Sequence, residues 1–391
     1  LAIVPFTIKS NNNLKIYFDN AATTPVDPEV FEAMLPILKE DFGNPSSSHS
    51  HGRKVKAQLE ISRKTIASLL NVTPGEIVFT SGGTEADNMA LRSSVNTLGV
   101  KHIITSPIEH HAVLHTAEEL AHKGKVELHF VKLTENGHVD LNSLEELLKN
   151  HTNVLVSLMH ANNEIGNLLD VEKVGALCKQ YNAFFHCDTV QTMGHYPFDF
   201  QTMGIDFAVG AAHKFNGPKG VGFLFMNKRL KLQPILTGGA QERELRGGTE
   251  NVYGIVGMAK ALEICYRDME KKQTHIKALK QYVIDKIKAE LPEIKFNGDP
   301  EGRSLYTVLS LAFPPSVANE MLLFNFDIQG ISVSGGSACS SGSNAGSHVI
   351  RALNKNLDCA PVRFSFGKYN TIEEADQVLA FVKSMFVKAE A

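Results

Sequence analysis

Between Glu76 and Met226 short apolar runs alternate with helical stretches, and this alternation constrains the fold more than any other feature of the chain. Strand-like runs lie at 76–80, 102–105, 126–131, 154–159 and 206–212, with one more beginning at Phe184 and another at Val221. The spacing of apolar residues predicts helices from Arg53 to Leu70, around Leu141 to Leu148, and through Val171 to Tyr181. Strands that alternate with helices pack as a mostly parallel sheet covered on both faces, so the fold class is α/β. In such sheets the chemistry collects in the loops beyond the carboxyl ends of the strands. His110, Asn162, Asp188, Gln191, His213 and Lys214 all stand just after strand-like runs.

Asp188 and Lys214 place a carboxylate and an amine at two such ends. Pyridoxal 5′-phosphate needs that pair: a lysine carries it as a Schiff base, and an acid keeps its ring nitrogen protonated. Taken alone, the two residues also suit a solvated lysine and a helix-capping aspartate. Ser81-Gly82-Gly83-Thr84 precedes a helix, where backbone N–H groups and the helix dipole attract an anion. The same residues equally suit an ordinary glycine turn with Thr84 as its N-cap. Neither a GxGxxG fingerprint nor a GxxxxGK[ST] loop occurs, so any phosphate belongs to a ligand smaller than a dinucleotide.

With 391 residues the chain is long enough for two domains and a large core. A formal net charge of −3 gives no electrostatic reason to expect nucleic acid, and no apolar run approaches the roughly 20 residues that span a bilayer. Leu1 to Ile8 is apolar but lacks a basic flank and a cleavage site, so it makes a poor signal peptide. Five cysteines, at 178, 187, 265, 339 and 359, form no CxxC pair, which points to a reducing, cytoplasmic setting and to no metal centre. Cys339 lies in the glycine- and serine-rich stretch Ser334 to Ser347, composed as a mobile loop; the other four are read as strand or packing residues. The helical region from Val252 to Leu291 is expected to be long, and a smaller α+β unit to follow it. His49 and His51 are placed in a loop, and His111, His115 and His122 are read as solvated on one helix.

Seven short patterns in one order resemble the cysteine desulfurases, class V members of the fold-type I pyridoxal-phosphate enzymes, of the iron–sulfur-assembly and nitrogen-fixation kind. They are Tyr17 to Pro25, Asn44-Pro45-Ser46-Ser47, Phe79 to Glu85, His160 to Gly166, His213-Lys214 with Gly217-Pro218-Lys219-Gly220, Arg246-Gly247-Gly248-Thr249, and Gly336-Ser337-Ala338-Cys339. The resemblance implies a large cofactor-binding domain over 25–270, with a seven-stranded, mostly parallel sheet flanked by helices. It also implies a smaller α+β domain, from 1–24 and 271–391, bearing the cysteine loop (about 334–347). Lys214 then holds the cofactor and moves the substrate proton, Asp188 pairs with the ring nitrogen, His110 stacks on the ring, and Gln191 bonds its phenolic oxygen. Gly83, Thr84 and His213 hold the phosphate, with Thr249 reaching across from the second subunit of a homodimer.

The family's pattern also implies that Asn162 and Arg363 bind the substrate carboxylate; a surface ion pair is the lesser alternative for Arg363. L-Cysteine would yield alanine, its sulfur passing to Cys339 as a persulfide and onward to an acceptor or iron–sulfur scaffold protein. Ala211 departs from the family, many members having serine there; losing one phosphate donor costs on the order of 1 kcal/mol. The chain stops soon after its last helix, where some members carry a docking tail. Two other readings are a selenocysteine lyase or related β-lyase on the same frame, and a non-catalytic sulfur-transfer scaffold.

Overall fold

The computed structural model describes residues 15–317, 321–335 and 346–389. After β1 (Ile16–Tyr17) come α1 (Pro28–Lys39), α2 (Ser50–Leu69) and the strand–helix alternation. That alternation comprises β2 (Ile77–Thr80), α3 (Gly83–Thr97), β3 (His102–Thr105), α4 (His111–His122), β4 (Glu127–Phe130), α5 (Leu141–Asn150), β5 (Val154–Ser157), α6 (Val171–Gln180) and β6 (Phe184–Cys187). Next are β7 (Phe207–Ala211) and β8 (Gly222–Met226), then α7 (Val252–Arg267) and α8 (Met269–Glu290). Last come β9 (Lys295–Phe296), β10 (Val308–Phe313), α9 (Leu322–Ile328), β11 (Ile331–Ser332), α10 (His348–Leu353), β12 (Ala360–Ser365) and α11 (Ile372–Ala389).

The seven-stranded sheet runs β2-β8-β7-β6-β5-β3-β4, and only β8 lies antiparallel to its neighbours. Period-two geometry explains why its central strands are apolar on both faces, whereas the edge strand β4 carries Glu127 and His129. Val154, Val156, Phe185 and Ala208 enter a core under α2, α6 and α7, while Leu155, Phe207, Val209 and Leu224 enter a second core under α3 and α4. Both faces are covered, as a parallel sheet requires. A third core joins Ile16 and Phe18 to residues of α8, α9, β10, β12 and α11. There β10 lies between β9 and β12 in an antiparallel sheet.

Some expectations move. The long helical region is two helices that meet at Asp268, which has φ −106° and ψ 12°. Neither glycine nor proline marks the break; Arg267 holds it by reaching both Asp268 and Glu29. His49 is the N-cap of α2, its Nδ1 accepting from the N–H of Gly52 at 3.3 Å, and His51 lies within the helix rather than a loop.

A buried ion pair ties α2 to the loop that follows β8. Arg63, 2% exposed, forks onto both oxygens of Glu242 at 2.7 and 2.8 Å and also bonds the carbonyl of Ile77. Glu242 accepts the N–H of Phe79 as well, at 2.8 Å, and does so from a left-handed backbone with φ 45°. Removing one partner of such a pair leaves a buried charge uncompensated. Glu242→Ala is therefore expected to lower stability by about 3–5 kcal/mol, read from the urea midpoint. A loss below about 1 kcal/mol would show that Arg63 finds another partner.

Candidate active site

β6 and β7 deliver Asp188 and Lys214 to one cavity of about 220 Å³ at the carboxyl edge of the large sheet. Asp188 follows the last residue of β6 and is fixed by the N–H of Val190, 2.9 Å from its Oδ1. Past β7 the chain makes one 3₁₀ turn, Ala212–Lys214, closed by the N–H of Gly217 on the carbonyl of Ala212 at 2.8 Å. This turn swings Lys214 inward, where Nζ donates to the carbonyls of Ala21 and Ala22 at 2.6 and 2.8 Å. Gln191 donates to the Ala21 carbonyl as well, at 3.1 Å.

Three carboxyls are buried together here. Burial, followed by its acidic neighbours, holds Asp87 well above the usual carboxylate range, and burial does the same to Glu109. Asp87 Oδ1 and His186 Nε2 are 3.3 Å apart but not aligned for a hydrogen bond, and Glu109 Oε2 has no partner. Burial pushes Asp188 up to about 6, against the opposing pull of the Val190 N–H and the charge of Lys214. His110, the N-cap of α4, accepts the N–H of Ala112 on Nδ1 at 3.1 Å. Burial first, then the Lys214 charge, lowers it to about 4, so at neutral pH it is an uncharged ring whose proton sits on Nε2. His213, lowered to about 4 by burial, contacts Thr23 Oγ1 at 3.2 Å.

Gly83 and Thr84, in the first turn of α3, line the same cavity. The N-cap is Gly82, not Thr84, and no side chain caps it, so the backbone donors of that turn remain available. A Cβ on Gly83 would meet Val190 Cγ2 at 2.8 Å, so glycine is what lets the helix start so close to Asp188's loop.

Arg363 on β12 closes the cavity from the third core. It is 2% exposed, not a surface ion-pair partner; Nη1 donates to the Asn163 carbonyl and Nη2 to Asp19 Oδ1, both at 2.8 Å, while Nε is buried with no partner. Asn163, not Asn162, lines the cavity. The Asn162 amide is committed to the turn itself: its Nδ2 donates to the Ile108 carbonyl and its Oδ1 accepts from the N–H groups of Glu164 and Ile165. Adjacent identical side chains gave no basis for choosing between them. Asp87 and Glu109 also escaped the sequence reading, although Glu109 stands just after a strand and was open to the same inference as His110.

Thr249 is exposed and does not line this chain's cavity. Cys339 lies outside the described residues, as does most of its loop; Ser347, at the loop's far end, caps α10 and donates to Glu164 Oε2 at 2.5 Å. His115 and His122 are exposed, but His111 is half-buried and pairs with His348 Nδ1 at 3.1 Å.

These residues fit pyridoxal 5′-phosphate. An amine enters the cavity, a buried carboxylate stands to gain from a proton-bearing ring nitrogen, and an uncapped helix start faces the same space. The fold and site together are those of an open α/β enzyme with its cavity at the carboxyl edge of the sheet.

Comparison with known proteins agrees. The profile described as Aminotransferase class-V matches residues 16–378, and the chain belongs to that family. It is 41% identical over 378 residues to the cysteine desulfurase IscS of Dictyoglomus turgidum, covering 96% of this chain and 95% of that one. A solved NifS-like protein superposes with a TM-score of 0.88 at 36% identity, over 96% of this chain and all of that one. A structure of SspA in complex with cysteine gives a TM-score of 0.77 at 30% identity, over 92% and 100% of the two chains.

The raised Asp188 has a thermodynamic consequence. A carboxyl at about 6 in the fold, against an ordinary value of 3.8, holds its proton more tightly when folded. Its burial costs nothing below pH 3.8, costs more as pH rises towards 6, and costs its full amount above. Asp188→Asn is expected to stabilise the cofactor-free protein at pH 8 by on the order of 2–3 kcal/mol, with the gain gone by about pH 4. Thermal melts of the stripped proteins across that range check it; a variant less stable at pH 8 would contradict the electrostatic account.

Proposed function

We propose that this protein is a pyridoxal-phosphate-dependent cysteine desulfurase: it converts L-cysteine to L-alanine and transfers the sulfur to Cys339 as a persulfide. The observation that carries the reading is the convergence of Lys214, Asp188 and Arg363 on one cavity. Family membership and the cysteine-bound structural relative support it. When bound, pyridoxal 5′-phosphate supplies the electron sink that makes the substrate Cα–H acidic and the Cβ–S bond breakable.

The chain's residues divide the remaining work. Arg363, which lines the cavity, binds the substrate carboxylate, and Asn163 lies beside it. Lys214 Nζ takes the proton from substrate Cα, a role its position at the cavity wall allows. Asp188 fixes the ring nitrogen, and uncharged His110 covers the ring without adding a second positive charge near Lys214. Gln191 bonds the phenolic oxygen. The first turn of α3 with Thr84, together with His213, holds the phosphate; Ala211, which lines the cavity, contributes no hydroxyl. The Cys339 thiolate attacks the substrate sulfur; an S–S bond forms, the Cβ–S bond breaks, and Cβ gains a proton to become alanine's methyl group.

Exposed Thr249 completes the phosphate site of a second copy in a homodimer. The large domain covers 25–270, and the smaller one 1–24 with 271–391, a division supported by the separate third core. Cys178, Cys187, Cys265 and Cys359 are free thiols, which supports a cytoplasmic setting. The persulfide then passes to an acceptor or iron–sulfur scaffold protein.

Single-turnover reaction with L-cysteine tests the proposal. Wild type should yield alanine and protein-bound persulfide together, Cys339→Ala should form no persulfide, and Lys214→Ala should lose about 10²–10⁴-fold in rate. Alanine formed at full rate without Cys339 would favour a β-lyase; failure to take up cofactor would leave only a scaffold role. Arg363→Lys should raise KM for L-cysteine about 10-fold or more, because a lysine cannot fork onto two oxygens. An unchanged KM would remove Arg363 from the substrate site.

A further inference from the structure

Far from the cavity, at the opposite edge of the large sheet, three imidazoles meet. His102 opens β3, His129 lies on the edge strand β4, and His151 follows α5 just before β5. Parallel pairing sets His102 opposite Glu127, and His129, two residues further along β4, points to the same face. His151 comes over that face from the end of α5, its ring 4.1 Å from that of His129 and 4.6 Å from that of His102, centroid to centroid.

One potential ligand atom from each histidine falls within 4.8 Å of the others. Three atoms are closer to ideal: His102 Nδ1 is 3.2 Å from His129 Nε2, and Glu127 Oε2 is 3.6 and 3.9 Å from these two nitrogens. Ligand atoms about 2.0–2.1 Å from a tetrahedral metal stand about 3.3–3.4 Å apart. We propose that His102, His129 and His151, with Glu127, form a binding site for a divalent transition metal of the zinc class. The donor set is imidazole and carboxylate, which suits zinc, cobalt or nickel and not magnesium or calcium.

Three imidazoles hold the metal, with Glu127 Oε2 beside two of them; the metal acts structurally, fastening the edge strand β4 and the end of α5 to β3. It takes no part in the chemistry at the other edge.

The test uses the cofactor-loaded protein carrying Cys339→Ala, which removes a thiol that could itself bind metal. Titration with Co²⁺ should give visible bands of tetrahedral intensity at one equivalent per chain, and Zn²⁺ should erase them. Zn²⁺ should also raise the melting temperature. In the His102→Ala/His151→Ala double variant Co²⁺ affinity should fall at least 100-fold. Should that variant fold poorly by circular dichroism, His151→Asn alone should weaken binding at least 10-fold. In the Cys339-intact protein, His151→Asn should leave turnover of L-cysteine unchanged. Absence of tetrahedral bands, or bands that survive the double variant and vanish with His110→Ala, would overturn the site.

Discussion

Burying negative charge at the carboxyl edge of the sheet is the constraint around which this structure is arranged. Asp87, Glu109 and Asp188 are buried close together, Asp87 and Asp188 in the wall of the cavity that Lys214 enters, and burial costs each carboxylate its hydration. Burial raises all three above the usual carboxylate range, Asp87 and Glu109 well above it and Asp188 to about 6. An isolated protein core would gain from replacing all three. A buried carboxylate at the cavity wall is instead suited to meet a positively charged group on a ligand. The strain is local, and the fully apolar strands beneath it can bear it.

The same edge collects donors that have nowhere else to go. The first turn of α3 has no capping side chain, and Arg363 keeps one N–H unpaired although it is among the most buried side chains. The first turn of α3, Arg363, Asp87 and Asp188 therefore line one cavity, its walls drawn from three different cores. No one element builds the site; the packing of helices against both sheet faces, with β12 brought in from the third core, places its walls within reach of one small molecule.

Much of this was readable from residues alone, for a physical reason. Parallel strands buried on both faces must be apolar throughout, so their ends are conspicuous, and polar residues just beyond them are few. Asp188, His110, Gln191 and Lys214 were found in that way. Features set by side-chain direction were not: Asn162 and Asn163 are chemically identical, and only the turn decides which amide folds back onto backbone and which side chain lines the cavity. Asp268 broke a long helical pattern without glycine or proline, because the break is held by Arg267, which pairs with Asp268 beside it and with Glu29 of α1. The histidines at 102, 129 and 151 are far apart in sequence, and strand register alone unites the first two.

The junction at Asp268 also makes the two long helices a lever. α7 is rooted in the core of the large sheet, whereas α8 runs for 22 residues through the third core, the one that supplies Arg363. At 1.5 Å per residue that arm is about 33 Å long, so each degree of tilt at its pivot moves the far end by about 0.6 Å. The arm is held near its root, where Lys272 donates to the Gly194 carbonyl and Gln273 to that of His195, so its direction is set by the segment that lies between Asp188 and Lys214.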